Sequence, residues 1–285
     1  MTHKTRPQLT RRTFSQVDVF TQKPLLGNPV AVVLDSEGIS TEMMHRLTSW
    51  TNLSEATFVG APVHHDADYS VRIFCPGREL PFAGHPTLGT CHAWLESGGE
   101  PQGEYIIQEC PAGLIKIKRG ECGSLAFAAP PLVKSGPLND AELSEVVSSL
   151  GLDTKNIAGH QWCDNGPGWR AVLLDSAERL RAVEPCDPKC ALDIGLIAPS
   201  DHPEFDFEVR AFFPGNSGVT EDPVTGSLNA ALAQWLIHEG RAPERYTALQ
   251  GTALGRHGVV MIERVEGEVW VGGHAVTVID GDVMI

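Results

Sequence analysis

One pattern is written twice in this chain, and that limits what it can fold into more than any other feature. Arg72-Ile-Phe-Cys-Pro-Gly77 is followed by Glu79-Leu-Pro-Phe-Ala-Gly84, and Arg210-Ala-Phe-Phe-Pro-Gly215 by Glu221-Asp-Pro-Val-Thr-Gly226. Both copies read R-x-F-x-P-G and then E-x-P-x-x-G, with four more intervening residues in the second. Ala31-Val-Val-Leu-Asp35 answers to Ala171-Val-Leu-Leu-Asp175, and Gln108-Glu-Cys-Pro-Ala-Gly113 to Gln250-Gly-Thr-Ala-Leu-Gly255. In chain order the four pairs are separated by 140, 138, 142 and 142 residues, close to half of the 285-residue length. Constant order and spacing argue for an internal duplication. Two similar domains that face each other leave a cleft, and small-molecule sites form in such clefts.

Composition narrows the partners. An apolar fraction of 42% supplies two cores, and a formal charge of −14 disfavours nucleic acid and anionic membranes. An anionic small substrate stays compatible, because the local field of a pocket can oppose the net charge. Seven cysteines, an odd number with no C-x-x-C pair, read as reduced, buried thiols rather than a disulfide framework. The spacing of Cys186, Cys190 and His202 fits no common zinc site, so no metal is expected. No run approaches the roughly 20 apolar residues that span a bilayer. Thr10-Arg11-Arg12-Thr13-Phe14 resembles an export signal only superficially, since alternating strand-like residues follow it instead of an apolar stretch. Residues 1–14 read as a basic, mobile extension, and the expected location is cytoplasmic.

Periodicity gives each half many short strands and one strongly apolar helix. The first half predicts strands at 15–20, 30–34, 56–60, 70–74, 104–109, 114–118 and 124–128. Its helices are one capped by Ser40, with Met43, Leu47 and Trp50 on one face, and one entered at Gly84-His85-Pro86. Pro130 to Pro137 reads as a linker, followed by a helix from Asp140 to Leu150. The second half predicts strands at 157–161, 169–174, 206–213, 258–263, 268–271 and 275–279, with a helix at 226–238. Leu228, Ala231, Leu232, Trp235 and Leu236 make that helix apolar over a wide arc, so a sheet must wrap it. The expected fold is therefore α+β. It has two pseudo-symmetric domains, 1–132 and 133–285, each a mixed β-sheet or barrel around a central apolar helix. The last strand is free to cross back to the first domain.

Three places could carry chemistry. Glu55, in Asn52-Leu-Ser-Glu55-Ala-Thr-Phe58, puts a carboxylate where a helix end meets an apolar strand; alone it is an ordinary solvated charge. His85, in Phe82-Ala-Gly-His85-Pro-Thr87, enters a helix, where imidazole serves either proton handling or capping. Thr220-Glu-Asp222-Pro-Val-Thr-Gly-Ser227 opens the matching helix, whose free N–H groups could hold an anion or be capped by Thr225 or Ser227. A pseudo-two-fold arrangement would bring both helix starts to one cleft, with His85 and Asp222 on opposite walls.

These residues resemble the phenazine-biosynthesis PhzF-like isomerase family. The matching stretches are Gly27-Asn-Pro-Val-Ala-Val32, Asn52 to Val59, Glu79 to Thr87 and Glu221 to Ser227, spread over nearly the whole chain in the family's order. The resemblance implies a diaminopimelate-epimerase-like fold, a site between two domains, no metal or organic cofactor, and a homodimer. It implies Glu55, His85 and Asp222 as the proton-handling set. Ser227 would bind substrate, Gly84 and Gly226 would offer backbone donors, and Asn28 would be a weaker substrate contact.

Related epimerases of this fold use two cysteines, one per domain. Here the loops read Ala83-Gly-His-Pro86 and Asp222-Pro-Val-Thr225, so thiol-based inversion is disfavoured. A single carboxyl that moves a proton between two carbons of a small carboxylate-bearing substrate fits better. Dihydrohydroxyanthranilate is one possible substrate, and family membership alone does not select it. The rival readings are a cofactor-independent racemase or epimerase of an amino or hydroxy acid, and a binding protein without turnover. His64-His65-Asp66-Ala-Asp68 reads as a solvated loop.

Overall fold

A computed structural model describes residues 9–187, 189–215 and 218–285. The first half contains β1 (Arg11–Val19), β2 (Asn28–Val33), α1 (Thr41–Thr51), β3 (Ala56–Gly60), β4 (Tyr69–Cys75) and β5 (Arg78–Leu80). It continues with α2 (Gly84–Glu96), β6 (Ile106–Cys110), β7 (Gly113–Arg119) and β8 (Leu125–Ala128). The second half contains α3 (Asp140–Leu150), β9 (Ile157–Cys163), β10 (Trp169–Leu174), α4 (Ala177–Arg181), β11 (Ile194–Pro199) and β12 (Phe207–Gly215). After these come β13 (Gly218–Asp222), α5 (Gly226–His238), β14 (Arg245–Gln250), β15 (Gly258–Val265), β16 (Glu268–Gly273) and β17 (Ala275–Met284). The architecture is a mixed, sheet-dominated α+β fold with few helices.

The strands pair in matching order in the two halves. In the first, β2–β3 and β4–β6 are parallel, while β3–β4, β4–β5, β6–β7 and β7–β8 are antiparallel. In the second, β10–β11 and β12–β14 are parallel, while β11–β12, β12–β13, β14–β15 and β15–β16 are antiparallel. The halves join where β8 and β16 pair antiparallel. The final strand, β17, leaves the second half and pairs with β1 along its length.

The repeated R-x-F-x-P-G…E sequence has a structural cause. Residues two apart on a strand share a face, so Arg72 lies 5.0 Å over the Phe74 ring and Arg210 4.9 Å over Phe212. In the first copy Pro76-Gly77 turns the chain, in the second Pro214 and Gly215 still pair with Val219 and Gly218, and in both the glutamate of the returning strand meets the arginine fork. Arg72 donates to Glu79 at 2.7 and 2.6 Å, and Arg210 to Glu221 at 2.9 and 2.7 Å. Each copy is a hairpin closed by a bidentate ion pair, a geometry that lysine could not supply.

Helix α2 packs on β1, β2, β3, β6, β8 and β17, and α5 on β9, β15 and β16. Leu228, Leu232, Trp235 and Leu236 of α5 are buried, each contributing about 1.5–3 kcal/mol. The helix stops where Gly240 takes φ +67°, a left-handed turn that glycine adopts without strain.

Three expectations change. Arg11 to Phe14 belong to β1 and not to a mobile extension: Arg11 pairs with Asp282 of β17, and Arg12 with Asp35 at 3.0 Å. Arg11 and Arg12 thus have acidic partners, on β17 and in the loop after β2, while residues 1–8 of the expected extension lie outside the described residues. In α1, Ser40 caps as expected, but the inward face is Met44, Leu47 and Thr48, and Trp50 is 81% exposed. Two stripes sharing Leu47 were available, and the side from which the sheet approaches chose between them. Strands β5, β11, β13 and β14 and helix α4 have no counterpart among the predicted elements; in β11, Ile194 to Ala198 are all buried. A short apolar run buried on both faces carries no alternation to mark it.

Candidate active site

The starts of α2 and α5 meet in the middle of the molecule. A Cβ on Gly226 would lie 3.2 Å from the Cα of Gly84, and one on Gly84 would lie 2.7 Å from Phe127 Cζ. Backbone therefore touches backbone where the helices begin, and glycine is required at Gly84. Neither N-cap residue, Ala83 or Thr225, caps its helix with a side chain. The first-turn N–H groups and both helix dipoles are left to act on an anion.

Each helix start is gripped from behind by the repeated glutamine. Gln108 accepts from Tyr69 Oη at 3.1 Å and donates to Thr87 Oγ1 at 3.0 Å. Gln250 accepts from Thr225 N at 3.0 Å and Asn229 Nδ2 at 2.8 Å, and donates to Thr225 Oγ1 at 3.0 Å. Both amides are fully buried and bonded, so their loss would strand polar partners.

Glu55 sits between the left-handed cap of α1 at Asn52 and the first residue of β3. Its Oε2 lies 3.4 Å from His85 Nε2, and neither atom has a hydrogen-bond partner among the described residues. Burial pushes the Glu55 carboxyl up to about 8; the Asp222 charge adds to this and Arg78 opposes it. Burial pulls the His85 imidazole down to about 3, against an interaction with the Pro29 carbonyl. Near neutral pH a largely protonated carboxyl thus faces a neutral imidazole. Asp222 is pushed up to about 6 by burial, opposed by bonds from Thr225 and Asn28 and assisted by Glu221.

The distant sequence segments that held candidate residues come together here. Thr225 Oγ1 donates to Asp222 Oδ2 at 2.6 Å, and Asn28 Nδ2 donates to Asp222 Oδ1 at 2.9 Å. Asn28 also donates to the Val224 carbonyl at 2.9 Å and is 1% exposed. Both hydrogens of its amide nitrogen are taken, by Asp222 and by the Val224 carbonyl. Ser227 Oγ accepts from Trp169 Nε1 at 3.1 Å, and the Ser227 carbonyl accepts from Asn165 Nδ2 at 2.8 Å.

Asp193 escaped the sequence reading. It precedes β11 as Glu55 precedes β3, and each carbonyl accepts from the adjoining parallel strand: Arg170 N to Asp193 at 2.9 Å, Ala31 N to Glu55 at 3.4 Å. Burial pushes Asp193 up to about 6, opposed by Arg170 and Arg78. The available signal was Leu192-Asp193-Ile194, a carboxylate at the edge of an apolar run, and it was lost with β11.

The frame belongs to a class of sheet-rich folds that includes a hydroxyproline epimerase of Agrobacterium vitis, with a TM-score of 0.56 and 14% identity over 98% of this chain and 93% of that one. A phenazine biosynthesis protein of Bacillus anthracis is nearer in shape, at a TM-score of 0.81 and 23% identity over 97% of this chain and all of that one. The chain belongs to the PhzC–PhzF family of phenazine biosynthesis-like proteins, whose family model matches residues 17–281. It is 35% identical to antisense-enhancing sequence 1 of Schizosaccharomyces pombe, over 97% of this chain and all of that one. It is 34% identical to trans-2,3-dihydro-3-hydroxyanthranilate isomerase of Pseudomonas aeruginosa, over 88% of this chain and 89% of that one. The family expected from the four motifs holds, and the isomerase class with it. No described helix is long and apolar enough to cross a membrane.

Proposed function

We propose that the protein moves a proton between two carbons of a small carboxylate-bearing substrate held between the two halves. The observation that carries this is Glu55 Oε2, unpartnered and 3.4 Å from His85 Nε2, in the half whose helix start abuts that of α5. The substrate carboxylate would take the free N–H groups of α2 and α5, beside Gly84, Gly226 and Ser227. Ionised Glu55 would remove a proton from the neighbouring C–H, leaving the electron pair in the substrate π-system. The same carboxyl would then return the proton at the far carbon, so the reaction is a net allylic shift with no redox change. His85 and Asp222 would steady or relay that proton. A positioned acid–base group supplies about 10²–10⁴-fold in rate, and the helix dipoles would stabilise the developing charge.

The matching strand pairings support an internal duplication, each half built around its own helix. A homodimer is the assembly the resemblance implies. Stereoinversion, the activity named for the Agrobacterium neighbour, has weaker support. No cysteine stands in either loop, and burial pushes the thiol of Cys91, inside α2, up to about 12.

NMR in D₂O with a panel of unsaturated and cyclic carboxylic acids, trans-2,3-dihydro-3-hydroxyanthranilate among them, tests the reading. Deuterium should enter a substrate carbon with the native protein, and Glu55→Gln should slow this by about 10²-fold or more. Equal exchange by both proteins would remove Glu55 as the base. Inversion at one carbon without double-bond migration would favour an epimerase.

A further inference from the structure

The loop between β1 and β2 is held in a costly shape. Phe20 and Leu25 have φ of +66° and +73°, a region that non-glycine residues enter only under constraint. Asp18, 2% exposed, provides one constraint: its Oδ2 accepts from Gly27 N at 3.0 Å, and the N–H groups of Leu25 and Leu26 turn toward the same carboxylate. The other comes from the second half, where Arg256 Nη1 donates to the Leu25 and Gly27 carbonyls, each at 3.2 Å. His257 N donates to the Leu26 carbonyl at 2.7 Å. No slack is left at the tip, since a Cβ on Gly27 would come within 2.2 Å of the Val19 carbonyl. The next residue is Asn28, which reaches across to Asp222 Oδ1 and the Val224 carbonyl.

We infer that Asp18 and Arg256 are positioning residues of the active site: they clamp the 25–27 turn from its two sides so that the Asn28 amide fixes the orientation of Asp222. Asp18 takes the Gly27 N–H of the turn and Arg256 the Leu25 and Gly27 carbonyls, and no other charged side chains bond to this turn among the described residues. The clamp also links the halves, because Asp18 and Asn28 come from the first and Arg256 and Asp222 from the second. That Asp222 handles protons rests on the proposed function, whereas the clamp itself does not.

The test is ¹³C NMR titration of the Asp222 carboxyl in the full chain without ligand. Native protein is compared with Asp18→Asn, Arg256→Gln and Asn28→Ala. The Asn28 bond favours the ionised form of Asp222, so losing it should raise the Asp222 midpoint by about half a pH unit or more. Removing the negative charge of Asp18 through space would instead lower that midpoint, so the sign separates positioning from simple electrostatics. Expected is an upward move in all three variants, with the Asn28 side-chain amide signals broadened or shifted in Asp18→Asn and Arg256→Gln. An unchanged or lowered midpoint in a folded Asp18→Asn protein would overturn the inference, even if that protein melts earlier. If Asp18→Asn does not fold, Arg256→Gln decides by the Asn28 side-chain amide signals, because loss of the Arg256 charge alone would also raise the midpoint; unchanged Asn28 signals in folded Arg256→Gln would overturn the inference. Because the titration needs no substrate, it is independent of the D₂O result. An upward move together with Glu55-independent exchange would sink the proposed reaction and leave the clamp standing.

Discussion

Arg72 and Arg210 hold the same place in their halves and make the same bidentate pair over the same kind of ring, yet their surroundings differ. The Arg210–Glu221 side chains are 4% and 10% exposed, and those of Arg72–Glu79 are 38% and 30% exposed. The spare nitrogen of Arg210 donates to the carbonyls of Leu180, Arg181 and Val183 at and just beyond the end of α4, while that of Arg72 meets Thr41 Oγ1 alone among the described residues, at 3.1 Å. A local sequence pattern thus fixes the geometry of the hairpin lock. The elements laid over it decide how much the lock matters. The junction carboxylates differ in the opposite sense, the first-half Glu55 pushed up to about 8 and the second-half Asp193 to about 6.

These differences can be broken experimentally, and the largest effect should come from pH acting on the junction carboxylates. The folded protein keeps the Glu55 proton until about pH 8, whereas an unfolded chain releases it near 4.5. Stability linked to Glu55 is therefore fully present below about pH 4.5 and declines as pH rises toward about 8. Each pH unit between the two values is worth about 1.4 kcal/mol at most. Urea titrations of native protein and Glu55→Gln across pH 5–8 should diverge steadily, the variant gaining on the native chain. Asp193→Asn should flatten a shorter window, from about 3.8 to about 6. Native and Glu55→Gln curves that stay parallel would show that Glu55 ionises normally. If Glu55 is the base, exchange catalysed by native protein should climb with pH and level off above about 8.

Arg210→Ala comes next. It strands the buried Glu221 and frees three carbonyls, which should cost about 3–5 kcal/mol in urea unfolding. Gly84→Ala should cost about 1–3 kcal/mol by pressing a methyl into Phe127. Gly226→Ala, with a looser 3.2 Å contact, should cost less. Arg72→Ala should show the smallest effect, about 1 kcal/mol or less, because water screens its pair. Equal losses for Arg72→Ala and Arg210→Ala would mean that burial does not separate the two locks.

Much of the site was legible from residue type and spacing. The repeated R…E and Q…G elements located two equivalent helix starts, and Glu55, His85 and Asp222 were marked by their motifs. Asn28 was legible as a member of the candidate set, but nothing local says that its amide crosses to residue 222. Asp193 was invisible because the strand it precedes lacks alternation. Trp50 was turned the wrong way because two helical stripes of similar quality shared Leu47.

The sequence by itself determined the local pieces: glycine where two backbones touch, arginine and glutamate where a hairpin closes, and an apolar helix that had to be covered. These depend on sterics, hydrogen-bond geometry and periodicity over a few residues. Only the tertiary structure decided that Glu55 and His85 share a dry contact, that Asn28 and Asp222 meet across the halves, and that one arginine lock is buried and its twin wet. Those outcomes depend on how far water is excluded, and water exclusion belongs to the assembled chain rather than to any one segment.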